Sequence, residues 1–123
     1  APKALFSMLF SSAQGQDKAL SDSPEFQSWL TPQLSESFKS NLDGYIRDIN
    51  QYVQPWASDV LQCQAQVSLW HGNADNWSPL AMADYMEQTL PKCKGKQVFD
   101  GLSHYSTLQK AVPLICEQIA SNS

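Results

Sequence analysis

Two side chains in this sequence have the type and spacing to move protons. Asp75 lies in Val67-Ser68-Leu69-Trp70-His71-Gly72-Asn73-Ala74-Asp75-Asn76-Trp77-Ser78-Pro79: a short apolar run, a Gly for the turn, an acid three residues on, and a Pro four beyond that. Twenty-nine residues after the acid, Gly101-Leu102-Ser103-His104-Tyr105 sets an imidazole just past a second apolar segment. A carboxylate bonded to one ring nitrogen fixes the tautomer and stabilises the imidazolium, which leaves the other nitrogen as a general base. Such a pair serves a third group that attacks. No Gly-x-Ser-x-Gly occurs in the chain, and Gly101-Leu102-Ser103-His104-Tyr105 has the wrong fifth residue.

Each residue also has a structural reading. Asp75 could cap a helix beginning near Pro79 or close an Asx turn with Asn76. His104 could be a surface or capping residue at a helix start, and His71 could pack at a strand end and bond a backbone carbonyl. Asp75 and His104 are read together as catalytic because both follow strand-like segments. A metal held by His71, Asp75 and His104 is not expected. The chain has only these two His and no paired Cys to complete a zinc set, so neither metal nor cofactor is assigned. Trp77, between the acid and Pro79, is a candidate for the substrate wall.

The elements that must position this pair change character near residue 62. Over 1–62 the apolar residues fall at helical spacing. Ser23-Pro24-Glu25 reads as a helix start, with Phe26, Trp29 and Leu30 on one face. Pro32 is expected to interrupt that helix or restart it. A run from Asp43 to Val53 carries Tyr45, Ile46, Ile49 and Tyr52 at intervals of three and four, and Pro55 stops it. The aromatics of this half, among them Phe6, Phe10 and Phe38, could line an acyl pocket or simply hold the helices down.

Over 63–123 the pattern is strand, helix, strand, helix. Gln66–Trp70 reads as a short buried strand and Lys96–Phe99 as a second brief one. Pro79–Leu90 is an intervening helix with Leu80, Ala83, Met86 and Leu90 on one side. Thr107–Ala120 is a last helix turning Leu108, Ala111, Val112, Ile115 and Ile119 inward. A crossover of this length makes the strands a parallel pair. Two such strands do not cover themselves, so the expectation is the tail of a larger α/β sheet.

Residues 45–119 resemble the C-terminal portion of the α/β-hydrolase superfamily. The resemblance rests on Trp70-His71-Gly72-Asn73-Ala74-Asp75 with Pro79, and on Gly101-Leu102-Ser103-His104 before a closing amphipathic helix. It implies Asp75 as the triad acid, His104 as the triad base, Gln66–Trp70 as the penultimate strand and residues 1–62 as a helical cap. It further implies hydrolysis of a small apolar ester or related acyl substrate, with a Ser or Asp nucleophile and an oxyanion hole supplied from outside these 123 residues. The chain alone is therefore expected to be inactive. The rival expectation is a non-catalytic, self-associating module whose bare strand edges are met by a second copy, with a dimer or larger centred on residues 1–30 and a strand edge.

Bulk composition narrows the partners. A formal charge of −4 with scattered Lys and Arg offers no stripe for nucleic-acid phosphates. No apolar run approaches the ~18 residues of a membrane span. Three cysteines at irregular intervals suit a reducing, cytoplasmic setting, with Cys116 expected as a buried thiol and a Cys63–Cys93 bridge left open.

Overall fold

The computed structural model describes residues 2–122, a mixed α/β chain with seven helices and a two-stranded parallel sheet among them. In order these are α1 (Pro2–Phe10), α2 (Gly15–Ser21), α3 (Pro24–Ser37), α4 (Asp43–Tyr52), α5 (Ala57–Gln62), β1 (Val67–Gly72), α6 (Leu80–Thr89), β2 (Cys93–Phe99) and α7 (His104–Ser121). The parallel pair runs in register from Ser68 opposite Gly95 to Gly72 opposite Phe99, so both strands end side by side. The loops carrying Asp75 and His104 leave from that shared end, where open parallel sheets place their chemistry.

Helix α6 packs on both strands and α7 on β1. On α6, Ala83 is buried and Leu80 and Met86 are half-covered, with Leu90 buried just past its end, as their spacing predicts. Lys96 of β2 ties α6 down through ion pairs to Asp84 and, at 2.8 Å, to Glu87. The apolar stripe of α7 is only partly covered. Ala111 is buried, whereas Leu108, Val112 and Ile119 are exposed, contrary to the inward-facing expectation. Thr107 and Ala111 are buried on this helix, whereas Leu108 and Val112 line an open groove alongside β1. Cys116 lies on the outer side of the same helix and is exposed, which corrects its expected burial; Cys63 and Cys93 are free thiols.

The main cluster of buried apolar side chains lies away from the sheet. Phe6 and Phe10 of α1 and Phe26 and Leu30 of α3 close on one another, and Trp77 and Tyr105 from the two site loops pack against them. Rings meet edge-on and tilted, with Phe10 5.8 Å from Trp77 and Phe26 5.6 Å from Tyr105. Contacts of this kind add about 0.5–1.5 kcal/mol each beyond area burial. The helical half is thus anchored on the loops that bear the acid and the imidazole.

Two prolines did not stop their helices. α3 runs unbroken through Pro32, and α7 through Pro113. Proline costs an interior helix one hydrogen bond and crowds the carbonyl four residues back. Here the carbonyls four residues back belong to Ser28 and Gln109, both exposed residues. The Ser23 start holds, with its Oγ accepting from the Phe26 N–H at 3.3 Å. Helices α2 and α5, too short to show a period, were not legible. α4 forms where expected, yet none of its residues is buried.

Candidate active site: an aspartate–histidine pair

Asp75 divides its oxygens between two tasks. Oδ1 accepts the backbone N–H groups of Trp77 and Ser78, each at 2.9 Å, which folds the loop after β1 around the carboxylate. Oδ2 accepts from Nδ1 of His104 at 2.8 Å. The Asx-turn reading and the pairing reading of Asp75 therefore hold together. A carboxylate has no proton to give, so His104 carries its proton on Nδ1. Nε2 makes no hydrogen bond to any described residue, and the ring is half exposed while the Asp75 side chain is only 5% exposed. The arrangement presents a bare imidazole nitrogen, backed by a buried acid.

Three further contacts hold the two loops in this relation. The Asn73 amide bridges them, donating to Asp100 Oδ1 and accepting the Gly101 N–H, both at 2.8 Å. The Ala74 N–H donates to the Leu102 carbonyl at 3.0 Å. Gly72 permits this closeness, because a Cβ there would stand 2.2 Å from the Leu102 carbonyl oxygen and 2.3 Å from Thr107 Oγ1. His71, as its sequence position suggested, bonds a backbone carbonyl, that of Ser78 at 2.7 Å.

The imidazole begins α7 itself, three residues earlier than the periodicity placed the helix. Its first-turn N–H groups find an acceptor far away in sequence. Asp17 of α2, 1% exposed, accepts from the Tyr105 N–H at 2.8 Å, the Ser106 N–H at 2.7 Å and the Ser106 hydroxyl at 2.6 Å. Sequence reasoning passed over both Asp17 and Asn73. A Gly-Asn step after a strand is a turn signal that could have marked Asn73. Nothing local marks Asp17, which acts across 88 residues.

Trp77 stands with its ring 5.2 Å from that of His104, and its other contacts are Phe10 and Tyr105. It buttresses one side of the imidazole. The other side opens on a groove of about 570 Å³ between β1 and α7, lined by Leu69, His71, Asp75, His104, Leu108 and Val112 among others. Thr107 Oγ1, buried in its wall, has no hydrogen-bond partner among the described residues. Among those residues no group of three or more His, Cys, Asp or Glu is placed to hold a metal, and no described helix is long and apolar enough to cross a membrane.

No protein-family model, curated protein or solved structure matches the chain. Any functional reading therefore stands on the geometry and on the resemblance in its motifs.

Proposed function

We propose that this chain is the cap and C-terminal catalytic segment of an α/β-hydrolase, holding the acid and base of a nucleophile–His–Asp triad for a small apolar ester or related acyl substrate. The observation that carries this reading is the 2.8 Å contact from His104 Nδ1 to a buried Asp75, with Nε2 left open beside a groove. A hydroxyl entering that groove would pass its proton to Nε2, while Asp75 holds the Nδ1 proton and stabilises the imidazolium. His104 would return the proton to the departing alkoxide. With a carboxylate nucleophile, the same nitrogen would activate water against the covalent ester. The nucleophile and oxyanion donors come, in this reading, from strands that pair along the open edge of β1. Trp77, which does not line the groove, backs the base from the side, residues 1–62 form the cap, and the setting is reducing and cytoplasmic.

The test is ester hydrolysis by the natural polypeptide that carries residues 1–123. Asp75→Asn should leave the fold intact and lower kcat by about 10⁴. Undiminished turnover in both Asp75→Asn and His104→Ala would overturn the reading. Residues 1–123 alone should show no turnover above their own His104→Ala control on a short-chain chromogenic ester.

A second reading, a non-catalytic module that associates with its own copy, is favoured by one observation. The face of α4 presents Tyr45, Ile46, Ile49 and Tyr52 to solvent, all exposed. Within residues 1–30, where self-association is expected to centre, Phe6, Phe10, Phe26 and Leu30 bury one another while Trp29 stays half exposed. If this reading holds, sedimentation gives a dimer that Ile46→Asp with Ile49→Asp returns to monomer, and no variant at Asp75 affects any ester.

A further inference from the structure

α7 already carries a local capping box between Ser103 and Ser106. Ser103 occupies the N-cap position, and Ser106 Oγ already accepts the Ser103 N–H at 2.8 Å. The Tyr105 and Ser106 N–H groups nonetheless point at Asp17, which is buried and bonded by three donors, two of them backbone groups directly following His104. The residues beside Asp17 are keyed into the same place. The Gln16 N–H donates to the Gly101 carbonyl at 3.2 Å. Gly15 adopts a positive φ of 54°, and a Cβ there would meet Ala74 Cβ and the Gly101 carbonyl oxygen, each at 2.8 Å. The start of α2 is therefore wedged between the loop of Asp75 and the loop of His104, and Asn76 Nδ2 adds a bond to the Ser12 carbonyl at 2.9 Å.

We propose that Asp17 is a positioning residue for His104, so that the N-terminal helices decide whether the imidazole meets Asp75. The inference rests on the reading of His104 as the base. A side chain at the first position of a helix has its Cα and Cβ direction set by the backbone of the turn that follows. Three charge-assisted bonds from Asp17 hold that turn in place. Asp17 touches neither imidazole nor groove, so it acts on the base only through the backbone of residues 104–106. A buried acid with three donors is also intolerant of replacement by an amide, whose NH₂ would face one of the N–H groups.

The test is the ring-nitrogen spectrum of His104 at neutral pH in residues 1–123, compared among the parent chain, Asp17→Asn and Ser106→Ala. The parent should show Nδ1 protonated and Nε2 bare. In Asp17→Asn the ratio of Nδ1–H to Nε2–H tautomer should fall roughly tenfold, the scale of one charge-assisted hydrogen bond. Ser106→Ala, which removes one of the three bonds to Asp17 together with the Ser103 N–H bond to Ser106 Oγ and keeps both backbone donors to Asp17, should give a smaller shift in the same direction. It decides the matter if Asp17→Asn fails to fold. In the natural polypeptide Asp17→Asn should lower kcat with KM unchanged. A parent chain lacking the Nδ1–H tautomer contradicts the Asp75–His104 reading itself. A parent chain that has it, with folded variants that lose stability and leave the tautomer ratio unmoved, makes Asp17 a helix cap and nothing more.

Discussion

His71 donates from Nε2 to the carbonyl of Ser78 at 2.7 Å, and Ser78 donates its own N–H to Asp75. The last turn of β1 and the far side of the acid's loop are thereby closed on each other, with Asp75 in the middle. His71 belongs to the site as a brace for the carboxylate.

Replacing His71 by Ala should loosen that loop. Loss of the hydrogen bond and of part of the ring's packing should cost about 1–2 kcal/mol in urea unfolding. Amide exchange should speed up at Trp77 and Ser78, the two donors to Asp75. Unchanged exchange there would mean that Asp75 needs no such brace.

Asn73 is the bridge between the two loops, and Asn73→Ala removes both of its bonds. At about 0.5–1.5 kcal/mol for each, stability should fall by about 1–3 kcal/mol. Asn73→Asp keeps an acceptor for Gly101 but sets a second carboxylate against Asp100. It should fall at least as far, and the deficit should shrink with added salt only if ionic screening reaches the pair. Equal stability of all three chains in chemical denaturation would show that the bridge is incidental.

Alkaline solution should unfasten the junction between the N-terminal helices and the site. Burial, and then the nearby Asp17 charge, raise the Tyr105 hydroxyl above its ordinary range. A group whose proton is held more tightly in the folded state contributes stability below its unfolded pKa and loses that contribution as pH rises through the folded one. For tyrosine the loss begins above about pH 10. The Lys96 ammonium, raised by its hydrogen bonds to Asp84 and Glu87, acts with the same sign in the same range. Thermal midpoints should therefore drop above pH 10, and Tyr105→Phe should lessen the drop while leaving the Lys96 part. A Tyr105→Phe curve parallel to the parent across that range would remove Tyr105 from the account.

The two strands and the Asp75–His104 contact were legible because their signals are local, although β1 runs on to Gly72 beyond the expected Trp70 and β2 starts at Cys93, ahead of the expected Lys96. An apolar run, a Gly and an Asp lie within nine residues of β1, and His104 follows β2 in the same way. What local pattern cannot report is the partner. The period of α7 marks Leu108 and Val112 as one face with Ala111, yet only tertiary placement determines that Ala111 alone is covered. Propensity penalises Pro32 and Pro113, yet both helices run through them, an outcome no local rule reports. Asp17 escaped notice because a capping signal is sought within three residues of the helix start, and its three donors lie across the chain. Its burial, unlike its spacing, singles it out at once.

The claim on which the rest depends is that Asp75 sets the proton on His104 and leaves Nε2 free. Long-range proton–nitrogen correlation at the His104 ring measures this directly, in the parent chain and in Asp75→Asn. The account predicts a protonated Nδ1 and a bare Nε2 in the parent, the Nδ1 proton shifted far downfield by the 2.8 Å bond to the carboxylate. It predicts loss of that resonance and a move toward the Nε2–H form in Asp75→Asn. A parent chain already in the Nε2–H form, or one whose tautomer is indifferent to Asp75→Asn, would contradict it.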